Sequence, residues 1–261
     1  MAHKLYDYPK YYDIAFSWDI TQEIMIYKKV FRDFVDFPVK KILEPACGSG
    51  RFLLEFAKEG YEMVGYDNNR KMVDFAKRKV TKAGLNSKVI VTKSDMKTAE
   101  FEFTFDAAIN PINSIGYLHS DEEIVKHLRN TANNIKKGGV YVVHLSCAWK
   151  NVTPEEAEAE TWSAERNGTK IDTTWKILYD DKEQNLSVQQ GLMDIDDNGK
   201  KLELEETHVL RLWTYEDIKR LVKKSGKFSL EAIYNEDRQR LPLDTEIIGE
   251  MGNLFYVLKV I

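Results

Sequence analysis

Between residues 39 and 146 the chain alternates between two hydrophobic periods. Lys41–Ala46, Glu62–Tyr66, Lys88–Thr92, Phe105–Ile109 and Tyr141–Leu145 are short, nearly continuous apolar runs. Strands covered on both faces of a sheet have this character. Between them, Arg51–Lys58, Asn69–Ala83 and Asp121–Ile135 predict helices. Phe52, Leu53, Phe56 and Ala57 mark the inner side of the first, and Met72, Val73, Ala76 and Val80 that of the second. Gly138–Gly139 is read as closing the third. The alternation predicts a right-handed succession of parallel βαβ units.

Residues 1–37 form an aromatic-rich lead-in. Its helix is read as capped by Thr21, with Ile24, Tyr27, Phe31, Phe34 and Val35 inward, and as ending near Phe37 because Pro38 restricts the residue before it. After a charged segment at 150–160, residues 161–213 read as successive strands. Turns are expected at 165–168, 180–184 and 196–199. Thr214 caps a helix over Tyr215–Lys224 that Gly226 stops, and strands follow at Phe228–Tyr234 and Asn253–Val260 around an irregular stretch, Asp237–Gly252. The expected organisation is a helical cap at 1–37, a main α/β domain from 38–149 and 214–261, and an antiparallel β lobe at 150–213 serving as a substrate lid.

Composition narrows the class. The 261 residues are 43% hydrophobic and 31% charged, a globular balance. With 38 basic and 42 acidic side chains the formal charge is -4, which supplies no overall field to gather nucleic acid. The basic stretches at 28–32 and 77–82 read as solvated helix faces. Cys47 and Cys147 make no disulfide framework, and histidines at 3, 119, 127, 144 and 208 show no zinc spacing, so no metal is expected. No apolar run spans a bilayer, and the N-terminus lacks a signal-peptide core. The expectation is a cytoplasmic protein, monomer or homodimer, without membrane contact.

The sharpest chemical signal is Glu44-Pro45-Ala46-Cys47-Gly48-Ser49-Gly50-Arg51-Phe52-Leu53, which leaves the first strand and enters the first helix. Gly48 and Gly50 permit a tight turn against a ligand. A dinucleotide fingerprint would carry a third glycine where Leu53 stands, for close helix-to-strand contact, and its pyrophosphate gains nothing from the nearby Glu44. A cofactor with a cationic end, S-adenosylmethionine, fits better. Asp67 ends the second strand and can accept from both ribose hydroxyls. Asp95, after the third strand, can accept from the adenine amine, with Met96 beside the ring. Ligands of open α/β sheets bind at this carboxyl edge.

The segments ILEPACGSGRFLLEFA, EMVGYDNNRKMVDFAKRK, VTKSDM, FDAAINPINSIGYL and GGVYVVHLS together resemble the class I S-adenosylmethionine-dependent methyltransferases. The resemblance implies a Rossmann-like seven-stranded α/β sheet of order 3-2-1-4-5-7-6 with the last strand antiparallel. The inserted lobe is similar to that of small-molecule methyltransferases, especially sugar and amine N-methyltransferases. By this resemblance Glu44, Ala46, Gly48, Ser49 and Gly50 hold the methionine part. Asp67, Asn68 and Met72 surround the ribose and adenosine, Asp95 and Met96 frame the adenine, and the Asn110 carbonyl meets the cofactor amino group. Base-directed amino methyltransferases carry Asp/Asn-Pro-Pro-aromatic at the strand-four exit; here it reads Asn110-Pro111-Ile112-Asn113, which argues against that target.

Methyl transfer from a sulfonium is a direct displacement, so the protein must align the acceptor and exclude water. His144, Tyr12 and Tyr117 are the candidate catalytic residues, His144 as a general base or as a packed strand histidine. Tyr8, Asn113 and Arg211 are candidates for the acceptor site. Arg211 would take an anion or pair with Glu205 or Glu206, and His208 reads as lobe packing. The expected reaction is methylation of a small-molecule acceptor, with an amine nitrogen favoured by the resemblance. The alternatives are an RNA- or protein-directed methyltransferase, a non-catalytic cofactor-binding scaffold, and a nicotinamide oxidoreductase on fold grounds.

Overall fold

The computed structural model describes residues 4–146, 153, 159–247 and 251–261. Cys147, His3 and most of the charged segment at 150–160 lie outside the described residues. Five parallel strands form the body of a mixed sheet: β1 (Lys41–Pro45), β2 (Glu62–Asp67), β3 (Val89–Lys93), β4 (Phe105–Asn110) and β5 (Ile135–Ser146). A second sheet holds β6 (Ala159–Arg166), β7 (Thr169–Asp181), β8 (Leu186–Asp197) and β9 (Lys200–Arg211), each antiparallel to the next. β10 (Phe228–Tyr234), β11 (Arg240–Leu241) and β12 (Asn253–Val260) complete the first sheet. Its order is β11-β10-β12-β5-β4-β1-β2-β3, and β12 runs antiparallel to both neighbours. Among the described residues the sheet has eight strands where the sequence predicts seven, because Arg240–Leu241 folds back onto the end of β10 from within the stretch read as irregular.

Helices cover both faces. α2 (Thr21–Phe34), α3 (Arg51–Lys58) and α4 (Arg70–Lys82) close one side, where Tyr27, Phe56, Val73 and Ala76 meet Ile42, Ile109 and Val142. α5 (Asp121–Asn134) and α6 (Tyr215–Ser225) close the other, where Ile124, Leu128 and Leu221 meet Leu43, Tyr141 and Tyr256. Burying such side chains contributes about 1.5–3 kcal/mol each, which makes the two layers the main stabilising term. A third cluster joins the lead-in to the second sheet: Leu5, Ile14 and Ala15, the last two on α1 (Pro9–Ala15), pack on Ile171, Met193, Ile195 and Leu204.

Three local expectations are corrected. Thr21 is the first helical residue, not the cap; Asp19 Oδ1 accepts from the Thr21 amide at 3.0 Å and from its hydroxyl. That helix stops at Phe34, three residues before the predicted end, where Val35 turns extended. Gly138–Gly139 does not close α5, which passes at Ile135 straight into β5. The glycines sit in a register shift against β4, where a Cβ on Gly139 would lie 2.4 Å from the Asp106 carbonyl oxygen.

Candidate cofactor and acceptor site

The carboxyl ends of β1, β2 and β4 converge on the glycine turn. Ala46, Gly48 and Gly50 all take left-handed backbone, with φ of 54°, 51° and 75°. A Cβ on Gly48 would meet nothing, so conformation and ligand approach, not packing, require glycine there. The close helix-to-strand contact that Leu53 was expected to make unnecessary is present. Gly65 of β2 leaves the room: a Cβ there would lie 2.6 Å from Leu53 Cδ1.

Asp67 braces the turn from the adjacent strand. The Gly48 amide donates to its Oδ2 at 2.9 Å and the Asn69 amide to its Oδ1 at 2.8 Å. Burial holds the Asp67 carboxyl above its ordinary value against the pull of these backbone groups. Asp67, Asn68, Met72, Asp95 and Met96 line one cavity of about 800 Å³ together with Ala46 and Gly48. The Asp95–Met96 turn is held from below. His127 is wholly buried, with Nδ1 3.0 Å from the Met96 carbonyl oxygen and Nε2 2.8 Å from the Tyr141 hydroxyl. Burial depresses His127 to about 4, which keeps it neutral; Nδ1 then donates to Met96 and Nε2 accepts from Tyr141.

A second cavity, of about 1000 Å³, opens on the other side of the turn. Glu44, Ser49 and Arg51 lie at its floor and Asn113 at the β4 exit, while Phe16, Trp18, Trp162 and Trp175 give it aromatic walls. Tyr6, Tyr12 and Tyr117 line both cavities and stand at their junction. The rings of Tyr6 and Tyr12 are 5.3 Å apart, and the hydroxyls of Tyr6 and Tyr117 share a 2.6 Å hydrogen bond. Burial pushes the Tyr12 phenol up to about 12, so it stays protonated at neutral pH. Tyr117 also meets His208 Nδ1 at 3.0 Å, and His208 stacks on Trp175.

Three candidates stand elsewhere. His144 is buried and stacked on Phe255, 4.0 Å between ring centroids, and lines neither cavity. Burial lowers it to about 3. This is the packed strand histidine, not a base at the site. Arg211 is committed to the His119 carbonyl at 2.8 Å and to Asp121 Oδ1 at 2.6 Å, and so ties β9 to the start of α5 instead of facing an acceptor or pairing with Glu205 or Glu206. Tyr8 lines neither cavity and packs in the cluster between the lead-in and the second sheet. The Asn110 side chain shapes the β4 exit, donating to the Pro45 carbonyl at 3.1 Å and accepting from the Ile115 amide at 2.9 Å; the role expected of Asn110 falls on its main-chain carbonyl, which these contacts do not involve.

Residues missed by sequence reasoning come from distant segments. Lys79, read as part of a solvated face, donates to Asp13 at 2.6 Å and to the Ser49 carbonyl at 3.2 Å. His208 reaches the junction from β9, and Trp162 and Trp175 from β6 and β7. Only the aromatic richness of the lead-in hinted at the walls.

The residues present fit S-adenosylmethionine. Glu44 is buried with Oε2 lacking any hydrogen-bond partner, and burial holds its carboxyl well above its ordinary value; a cationic group beside it would favour the ionised form, whereas a pyrophosphate would gain nothing from it. Among the described residues no His/Cys/Asp/Glu group is arranged to hold a metal, and no helix is long and apolar enough to cross a membrane.

A family model described as a methyltransferase domain matches residues 42–139, the segment carrying the glycine turn and β1 to β4. The chain is 25% identical over 220 residues to "Putative methyltransferase YqeM" of Bacillus subtilis strain 168, covering 83% of this chain and 82% of that protein. It is 29% identical over 102 residues to dTDP-3-amino-3,4,6-trideoxy-alpha-D-glucopyranose N,N-dimethyltransferase of Streptomyces venezuelae, covering 39% of this chain and 40% of that enzyme. Its fold is similar to that of the sugar N-methyltransferase KedS8 from Streptoalloteichus sp ATCC 53650, with a TM-score of 0.71, 20% identity, and coverage of 98% and 94%. The turn and its bracing carboxylate lie in the segment matched as a methyltransferase domain, and the chain as a whole resembles the class I S-adenosylmethionine-dependent methyltransferases, among them the small-molecule N-methyltransferases.

Proposed function

We propose that the chain transfers a methyl group in line from S-adenosylmethionine to an amine nitrogen of a small-molecule acceptor. The observation that carries the reading is the second cavity. It adjoins the cofactor side at Ala46, Gly48 and Ser114 and at the rings of Tyr6, Tyr12 and Tyr117, and its aromatic walls come from the lead-in and the second sheet. A cavity walled in this way suits a small acceptor better than a polymer, and the sheet β6 to β9 acts as its lid. When bound, the cofactor supplies a methyl group already activated on positive sulfur, so no protein nucleophile or metal is needed.

The chain's own work is orientation and exclusion of water. Tyr12, protonated at neutral pH, presents an aromatic face and a hydroxyl at the junction. Such faces favour a cationic group by about 0.5–2 kcal/mol. The relatives that act on amino sugars favour nitrogen as the acceptor atom. Among the described residues at the junction, His208 is the buried histidine, and burial lowers it to about 4, which makes it a weak base for a hydroxyl proton.

The test is methyl transfer from labelled S-adenosylmethionine across small amines, amino sugars and their hydroxyl analogues, with RNA and protein as parallel acceptors. The expected result is one or two added methyl groups on an amine and none on its hydroxyl analogue. Label appearing only in RNA or protein would contradict the reading.

A further inference from the structure

The second cavity has polar groups at its floor and carbon on its walls. Trp162 donates its ring N–H to the Ala15 carbonyl at 2.7 Å, and Trp175 donates its own to Gln189 Oε1 at 2.8 Å. Gln189 in turn donates to the Ser187 hydroxyl at 3.2 Å. Glu160 of β6, also on the wall, is exposed to water. The Trp175 ring is fixed in its plane. It stacks on His208, and its cross-strand partner is Gly191, where a Cβ would lie 2.7 Å from Trp175 Cζ3. With both N–H groups committed to the protein, Trp162 and Trp175 offer a ligand their apolar surface alone.

Ile112 lines the same cavity at the β4 exit and is strained there. Its φ is 53°, and that of Asn113 is 52°. A β-branched side chain rarely takes left-handed backbone, whereas glycine or asparagine does so readily. Neighbours hold the turn: the Asn113 amide donates to the His144 carbonyl at 2.8 Å and the Ser114 hydroxyl to the Pro111 carbonyl at 3.1 Å. Core packing does not account for isoleucine, because its side chain is 41% exposed and joins none of the three apolar clusters among the described residues. Trp18, another lining residue, is 43% exposed. Strain kept at a cavity wall, with the apolar side chain left open, points to a ligand that covers it. A body bearing many hydroxyls would set them against carbon and lose their hydrogen bonds to water. Resting on the amine reading above, we infer that the acceptor carries its nitrogen on an apolar, aromatic body, which Ile112 and Trp18 contact and which the rings of Trp162 and Trp175 bound.

The experiment is calorimetric titration of the full chain, saturated with S-adenosylhomocysteine, with 2-phenylethylamine and with glucosamine. Wild type, Ile112→Asn and Trp18→Ala are compared, and their melting temperatures are recorded. The wild type is expected to bind 2-phenylethylamine at least about tenfold more tightly than glucosamine. Each substitution should raise the 2-phenylethylamine Kd by about 3- to 10-fold and leave that of glucosamine unchanged. Ile112→Asn should do so with an equal or higher Tm, because asparagine suits the left-handed backbone. A wild type that prefers glucosamine, or binds neither probe, would overturn the inference. An Ile112→Asn chain with a lowered Tm and unchanged 2-phenylethylamine affinity would also overturn it and reduce Ile112 to a support for the turn. The amine reading is followed separately, by methyl transfer from labelled S-adenosylmethionine to 2-phenylethylamine and to 2-phenylethanol. Label on the alcohol and not on the amine would refute that reading while leaving the apolar body of the acceptor standing.

Discussion

Asp67→Ala is expected to weaken S-adenosylhomocysteine binding by about 100-fold or more, because two effects add. In the proposed role the carboxylate accepts from the ribose hydroxyls. It is also the brace of the glycine turn, and its removal leaves the Gly48 and Asn69 amides without their partner. Asp67→Asn keeps one acceptor oxygen and should lie between the two. Titration calorimetry measures the effect, and unchanged affinity with an unchanged melting temperature would contradict it.

The second large effect concerns the seam between lead-in, main sheet and second sheet. Asp13 of α1 is 3% exposed and accepts from Lys79 Nζ of α4 and from Arg166 Nη1 of β6 at 2.7 Å. The Arg166 guanidinium also donates to the Asp13 carbonyl at 2.9 Å. Asp13→Ala would strand two cations at one spot. Breaking a fully buried pair costs about 3–5 kcal/mol; here both partners are partly exposed, so about 2–3 kcal/mol is expected. For a chain of this size that is a fall in Tm of about 4–12 °C. Burial alone would raise the Asp13 carboxyl, but Lys79 and Arg166 outweigh it and hold it below its ordinary value of 3.8. The contribution is therefore complete above the carboxylate range and is lost as pH falls through the folded value. Melting curves of wild type and variant should stay apart from neutrality down to about pH 5 and converge below it. A separation that does not change into the acid range would show that Asp13 acts through packing alone.

How much was readable in advance follows from the range of the interactions involved. The βαβ succession depends on local periodicity, and Ile42, Phe56, Val73 and Val142 are buried where the apolar pattern puts them. The glycine turn needs only its own neighbours and Asp67, so its place at the carboxyl edge was legible. The pairing of Asp13 with Lys79 and Arg166 joins segments 66 and 153 residues apart, and no spacing rule reaches that far. Lys79 looked solvated because its helix is charged all along that side. Arg211 had acidic neighbours in sequence but found Asp121 across the fold, where with Arg220 it lowers that carboxyl to about 2. His144 carried a legible warning. It shares strand parity with Val140 and Val142, which pack beneath the helices on one face, and β12 sets Phe255 against it. Gly138–Gly139 looked like a helix stop because the same residues serve wherever two backbones approach closely.

The cofactor assignment is tested most directly by calorimetric titration of the unmodified chain with S-adenosylmethionine and, separately, with NADH. Saturable binding of S-adenosylmethionine, competed by S-adenosylhomocysteine and not by NADH, is the expected result. Saturable binding of NADH without binding of S-adenosylmethionine would mean that the turn after β1 serves a dinucleotide, and would contradict the reading of Glu44 and Asp67 given above.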